Sequence, residues 1–364
     1  MAYGTLNAGA ITPGSGATLT IAETVSLTGD LVPSTALSNR NRLINGDFQV
    51  AQRATSFVAS ANNDDTYNLD RWYLLSDGND IVDVTQSSTA PTNQLTSIGL
   101  DVETANKKFG IAQIIESNNC VGLIGNNVTL SFKAKVSDTS KLDNVKAAII
   151  SWSSTVDAVT SDVVSAWAVE GTNPTLASNL TYENTPADLN LTTSWATYSV
   201  SANIDTSSTT NVVVFIWSDV TDTTAGHFLH ITDCQIEQGS TATPFEHQSY
   251  GEELARCQRY YETSSVDGTF ALENMYSGSV FFAQTTQTNG TFFRVVKRAT
   301  PTVTIYSRNG TVNKVSLVNT GADQGGTASS GDYWSINGFK YVSIGDVATA
   351  GNGVEWGYKA EAEL

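Results

Sequence analysis

His227 and His230 stand three residues apart in the run His-Phe-Leu-His-Ile-Thr-Asp-Cys, a spacing familiar from metal boxes. The pattern around them is that of a strand, where residues i and i+3 point to opposite faces. His247 is the only other histidine, so a zinc site would have to borrow Cys234 or distant carboxylates. The pair therefore reads as ordinary strand histidines. Glycoside hydrolysis needs only two carboxylates at a set separation, and 36 acidic residues leave that chemistry open. Asn63-Asp64-Asp65 and Asp219/Asp222 could supply them, although solvated loop carboxylates are the plainer reading. The sequence shows no glycine-rich phosphate loop of the required form and no Gly-x-Ser-x-Gly elbow before a helix.

Aromatic side chains offer more specific chemistry. Trp, Tyr and Phe number 7, 13 and 13, enough to spare some from the core. A sugar ring lays its C–H face on an aromatic plane, while Asn, Asp and Gln take its hydroxyls. Trp72, Trp152, Trp195, Trp217, Trp334 and Trp356 lie within or beside strand patterns, where a core role is the ordinary one. Trp167 falls in an irregular stretch. Trp72 and Trp167 are the candidate stacking platforms.

The elements that must position these groups are mostly strands. Val128, Leu130, Phe132, Ala134 and Val136 alternate with polar residues, which predicts a half-buried strand. The run Asn211 to Trp217 predicts a strand buried on both faces. Further strands are expected at 81–85, 146–152 and 195–200, and long excursions over 153–194. Short strands between Asn/Asp/Ser/Gly clusters indicate an antiparallel sandwich over 40–248, of a size that fits a jelly roll. Ser249 and Glu252 have capping-box spacing, and Leu254, Cys257 and Tyr261 share a helical face. A connector helix is expected over 249–263. A second antiparallel β-domain follows over 264–364, with strands near 279–286, 291–298, 302–307, 311–318, 333–336, 340–344 and 354–360. Asn-Gly pairs at 289, 309, 337 and 352 suggest a meander. Residues 1–39 carry period-2 strand chemistry at Leu19, Ile21, Val25 and Leu27. One or two such strands cannot bury an apolar face alone, so an extended N-terminal segment that packs on copies or a partner is expected.

Over 364 residues the formal charge is −17. That excludes a broad phosphate-binding surface and disfavours adsorption to anionic lipid. Cys120, Cys234 and Cys257 are too few and odd in number for a disulfide framework; they read as small buried hydrophobes. No apolar run is long enough to span a membrane. The opening Met1-Ala2-Tyr3-Gly4 has no basic or apolar leader region, so synthesis in a cytoplasm is expected.

Several motifs together carry a family resemblance. Asn41-Arg42-Leu43-Ile44-Asn45-Gly46-Asp47-Phe48-Gln49-Val50, Gln52-Arg53 and Leu69-Asp70-Arg71-Trp72 look like the opening of a carbohydrate-binding-module-like jelly roll in bacteriophage tail-fibre proteins. Leu229 to Gly239 resembles its closing strand, Glu253 to Glu262 the start of the domain that follows, and Arg298 to Ser307 and Ala360 to Leu364 that domain's later strands and end. The resemblance implies a virion fibre or spike, usually a homotrimer, that recognises a host surface glycan, with residues 1–39 attaching to other virion proteins. It also implies a structural calcium between Asp47 and Asp233, although Gln49 stands where the family usually has Glu. The leading expectation is thus a non-enzymatic trimeric tail fibre residing in the virion. A capsid-attached head fibre without a ligand is the second reading, and a surface-polysaccharide depolymerase the third. Neither nucleic acid nor membrane insertion is expected.

Overall fold

The computed structural model describes residues 38–220, 223–265, 268–271, 275–280, 286–324, 329–344 and 353–364. The expected anchor strands at Leu19 to Leu27 lie outside the described residues, as does Asp222. The chain divides into Met1–Leu37 and Ser38–Leu364, and the second unit carries everything below.

Its first part contains β1 (Ser56–Phe57), β2 (Thr66–Tyr67), β3 (Tyr73–Ser76), β4 (Val82–Ser87), β5 (Ser97–Val102), β6 (Phe109–Ile115) and β7 (Asn127–Val136). There follow β8 (Val145–Trp152), β9 (Val164–Ala166), β10 (Thr175–Leu176), β11 (Leu180–Tyr182), β12 (Ala196–Asn203), β13 (Asn211–Ser218) and β14 (Phe228–Gln238). They form an antiparallel sandwich of two six-stranded sheets. The first runs β1-β4-β5-β14-β7-β12, the second β11-β8-β13-β6-β3-β2. The alternation read from 128–136 is the inward face of β7, packed on Val212, Val214 and Ile216 of β13 across the core. Asn41–Val50 is not an opening strand but a run of turns, with Asn45 and Phe48 at positive φ.

Every residue of β13 is buried, as expected, because the second sheet is covered on its outer face too. The cover is the excursion after β8. Val159, Val163, Val164 and Leu180, with the half-buried Trp167, Leu176 and Tyr182, pack over Tyr73, Ile150, Phe215 and Trp217. A buried ion cluster pins this flap. The Asp219 carboxylate lies between Lys108 and Lys146, the latter at 2.8 Å, and accepts from the Gly171 backbone N–H at 2.8 Å. Lys108 also donates to the Val169 carbonyl, and Lys146 to Asn173.

Three short α-helices are present among the described residues, α1 (Ser117–Cys120), α2 (Thr139–Leu142) and α3 (Tyr250–Gln258), besides a 3-10 turn at Ala59–Asn62. Ser249 and Glu252 close a capping box on α3, as their spacing predicts. The helix stops at Gln258, short of the expected 263. Tyr261 belongs instead to β15 (Tyr261–Thr263), which pairs with the chain's last strand. The C-terminal sheet continues with β16 (Tyr276–Ser279), β17 (Thr286–Phe292), β18 (Thr302–Tyr306), β19 (Val315–Leu317), β20 (Asp323–Gln324), β21 (Ser329–Ser335), β22 (Gly338–Ile344) and β23 (Gly353–Glu361). It is not the expected meander. β23 pairs with β15, β16, β18 and β19, so its neighbours come from far apart in sequence. Asn337 does lie in the β21–β22 turn. Asn289-Gly290 falls inside β17, where a Cβ on Gly290 would meet the Phe339 carbonyl at 2.1 Å. No strand forms over 293–298.

Removing Asp219 would leave buried Lys108 without an ion partner and Lys146 with only its 3.9 Å contact to Asp188, a loss of about 3–5 kcal/mol for such a cluster. Asp219→Ala should therefore lower the urea midpoint by that equivalent and make 153–182 the first segment cut by protease. The carboxyl sits below its ordinary value: burial opposes ionisation, but hydrogen bonds from Lys108, Lys146 and Gly171 outweigh it. A lowered folded-state value means the stabilisation is present above the unfolded value near 3.8 and fades as pH falls through the folded one. Acid titration of protease resistance should show a smaller loss in Asp219→Ala than in wild type. The remainder comes from Asp157, which lies in the same excursion and is also lowered, its burial outweighed by hydrogen bonds from Ser117 and Asn211.

Candidate functional site

With the second sheet sealed, the outer face of the first is the open sheet surface of the sandwich. Thr197, Ser199 and Ser201 on β12 are exposed there and Lys133 and Lys135 on β7 half-buried, while Thr129 and Ser131 on β7 and His230 and Thr232 on β14 face the same way but are buried. A groove of about 570 Å³ opens on this face. Ser131, Lys133, Thr197 and Asp233 line its floor; Thr92, Asn93 and Gln94 form one wall, and Ala242 to Phe245 with His247 the other.

One irregularity places Asp233. Leu229 and Ile231 point into the core, and so do Cys234 and Ile236, so the inward phase changes from odd to even. A β-bulge absorbs the extra residue: Thr232 pairs with Lys133 and Gln235 with Ser131. Asp233 takes a left-handed conformation, φ 55°, at that point. Its carboxylate pairs with Lys133 at 2.9 Å and accepts from the Gln94 side chain. The second wall is built rigidly. Buried Glu237 accepts from the Thr243 backbone N–H at 2.8 Å, and Gln235 accepts from the Glu246 backbone N–H at 2.9 Å. Glu246 in turn accepts backbone bonds from Asn39, Arg40 and Asn41. Phe245 stands edge-on to His247, with ring centroids 5.1 Å apart, and brings an apolar plane to a polar cleft.

Beyond the groove on the same face is an aromatic row. His230 stacks on Phe228 with centroids 5.7 Å apart and planes within 3°, and Trp195 lies 6.3 Å from His230. Gly99 leaves room for the imidazole, since a Cβ there would meet its Cε1 at 3.2 Å. Burial, with the charge of Lys135 beside it, pushes His230 down to about 4, so the ring is neutral at pH 7.

The residues singled out in the sequence have different fates. Trp72 is not a platform: it is fully buried, packed against Phe48 at 5.2 Å, with its indole N–H spent on the Asn45 carbonyl. Trp167 is half-buried and leans on Phe215 at 6.0 Å, serving the flap. Asp219 is the flap's anchor, and Asp64 accepts the Ser76 backbone N–H at 2.7 Å. The three cysteines are free and buried. Asp233 lines the groove, whereas Asp47 faces a separate crevice beside Gln49 and Glu253. Trp195 was indistinguishable in sequence from its core counterparts, because its position just before β12 on the outer side depends on register. The bulge left a signal, the phase change at 231–234.

The implied calcium does not fit these residues. Calcium takes about six to eight oxygens. Asp233 already spends both of its own on Lys133 and Gln94, and Glu253, beside Asp47, is held by Arg256 at 3.0 Å. Among the described residues no three His, Cys, Asp or Glu side chains converge. The ammonium of Lys133 supplies the positive charge instead.

No family model matches the chain, and no curated protein matches it significantly. Solved structures do. A putative sugar binding protein from Bacteroides thetaiotaomicron is 14% identical, with a TM-score of 0.36, over 55% of this chain and 100% of that one. A carbohydrate-binding module solved with β-1,4-galactotriose is 14% identical, with a TM-score of 0.32, over 55% and 100%. The enzymatically active domain of bacteriophage CBA120 tailspike protein 4 is 14% identical, with a TM-score of 0.34; the match spans 55% of this chain and only 21% of the tailspike chain.

If Lys133 stands in for the ion, neither millimolar calcium nor EDTA should move the melting temperature by more than about 2 °C. A bound ion at 100 times its Kd would add about 2.7 kcal/mol and a shift of several degrees. Such a shift, read by scanning calorimetry, would restore the calcium site.

Proposed function

We propose that this chain is a non-enzymatic, homotrimeric phage fibre whose sandwich recognises a surface glycan on the open face of its first sheet. The observation that carries the reading is the asymmetry of the sandwich. One outer face is sealed by a flap, while the other is a polar sheet surface with a preformed groove and flanking aromatic rings. A cleft with amide, hydroxyl, carboxylate and ammonium groups around an aromatic plane suits a sugar, which needs many directional hydrogen bonds and one stacking surface. Charge of −17 argues against nucleic acid as the ligand.

The chemistry of the groove favours binding over cleavage. Hydrolysis of a glycosidic bond uses two carboxylates about 5–10 Å apart. Asp233 is the one carboxylate among the described lining residues, and its charge is neutralised by Lys133. The virion placement and the trimer rest on the ordered motifs of the sequence and on residues 1–39, whose strand chemistry calls for a partner.

A glycan array probed with the purified chain should return a defined set of ligands. Thr197→Trp, which fills the groove from an exposed position, should abolish binding with the fold intact by circular dichroism. If no glycan binds, recognition fails as a function and a structural head or tail fibre takes its place. Light scattering should give about three times the 38.7 kDa chain mass; a clean monomer would remove the trimer. Release of reducing ends from capsule or lipopolysaccharide would establish the depolymerase instead.

A further inference from the structure

The aromatic row contains a cation, Lys135, that has no ion partner among the described residues. β7 lies between β14 and β12 in the sheet. Lys135 on β7 pairs directly with His230 on β14. Trp195 enters from the β12 side, where Ala196 pairs with Ala134, and its ring still reaches to 6.3 Å from His230. The two rings thus flank the strand from which Lys135 projects. Lys135 and Trp195 are both half-buried, so each keeps a solvent-facing part.

The charge arrangement is unusual for this chain. Acidic residues outnumber basic ones 36 to 19, and the neighbouring Lys133 is paired with Asp233. Lys135 has no ion pair among the described residues. The carboxylates on the same outer face sit further along the sheet, where Asp101 pairs with Phe228 and with Asp83. They do not offset Lys135 at the imidazole, where its charge adds to the effect of burial. A lysine without an ion partner among the described residues, on a strand flanked by two rings, suits a group with an apolar ring face and one negative charge.

We infer that the Trp195–Lys135–His230 row selects an acidic sugar, one bearing a ring carboxylate. The sugar's C–H face lies on Trp195 and its carboxylate meets the Lys135 ammonium, while the buried His230 ring stands behind them next to Ser97. The inference rests on the glycan-binding reading above and narrows it from sugars in general to carboxylated ones. The adjoining groove, about 570 Å³ in volume, has room for a further residue of the same oligosaccharide.

The test uses matched pairs that differ in charge: trigalacturonate against its methyl ester, and sialyllactose against the methyl ester of its sialic acid. Titration calorimetry on the full chain should show at least one acid binding about tenfold more tightly than its neutral partner, a difference of ~1.4 kcal/mol. Lys135→Gln should erase that preference, bringing the acid's affinity down to that of its neutral partner. Trp195→Ala should weaken both members of the pair. Equal binding of acid and neutral partner in wild type, or an acid preference that survives Lys135→Gln, overturns the acidic-sugar inference and leaves glycan recognition standing. If no sugar of either kind binds, both fall together.

Discussion

The architecture depends on one charged joint between the sandwich and the C-terminal sheet. Arg71 is buried from solvent, donates to Glu363 and to the Ile114 carbonyl, and lies 3.7 Å above the ring of Tyr260. Arg53 repeats the arrangement, 3.7 Å above Tyr261 and 3.1 Å from Glu363. Burial opposes the charge on each guanidinium, but Glu363 together with neighbouring acidic and tyrosine groups outweighs it, so both are held protonated. Around them Arg259 forks onto Glu116, Arg298 bonds the Ala362 carbonyl, and Lys297 is buried against Glu262. An arginine stacked on a ring and bonded to a carboxylate is poorly replaced by lysine. Any relative motion of the two halves would expose several charges at once.

That joint explains which parts of the sequence were readable. Leu69-Asp70-Arg71-Trp72, Gln52-Arg53, Glu253 to Glu262 and Ala360 to Leu364 are scattered along the chain, yet all meet there. Gln52 bonds both Asp70 and the Tyr261 carbonyl, and Tyr67 bonds the carbonyl of Leu364. The most recognisable motifs are therefore the ones that hold domains together. The candidate ligand face is built from Thr, Ser and Lys that alternate with core residues, and nothing in their type marks them as a site. Strand positions were legible because alternation is local, as in 128–136. The helix end was not, because a pairing with Glu361, a hundred residues away, captures Tyr261. Sheet order was not legible for the same reason: the partners of β23 are set by packing across the sheet.

The bulge at Asp233 shows how a small backbone defect sets chemistry. Regular pairing would have turned Cys234 and Ile236 outward and drawn their neighbours into the core. The extra residue keeps the apolar set inside and aims a carboxylate at Lys133. The Asn45-Gly46 turn fits against it so closely that a Cβ on Gly46 would meet the Cys234 carbonyl at 2.2 Å. The Cys234 N–H donates to the Gly46 carbonyl at 2.8 Å, which fixes the defect in place.

The groove is assembled from residues 92–94, 131–133, 197, 233 and 242–247, and the opening segment is tied to its far wall through Glu246, some 205 positions away in sequence. Closing so long a loop carries a loop-closure entropy that must be met before the contacts that reward it form. On the ribosome the groove cannot be complete until residue 247 has emerged. A chain stalled or clipped before that point would carry most of a sandwich and a groove without its second wall.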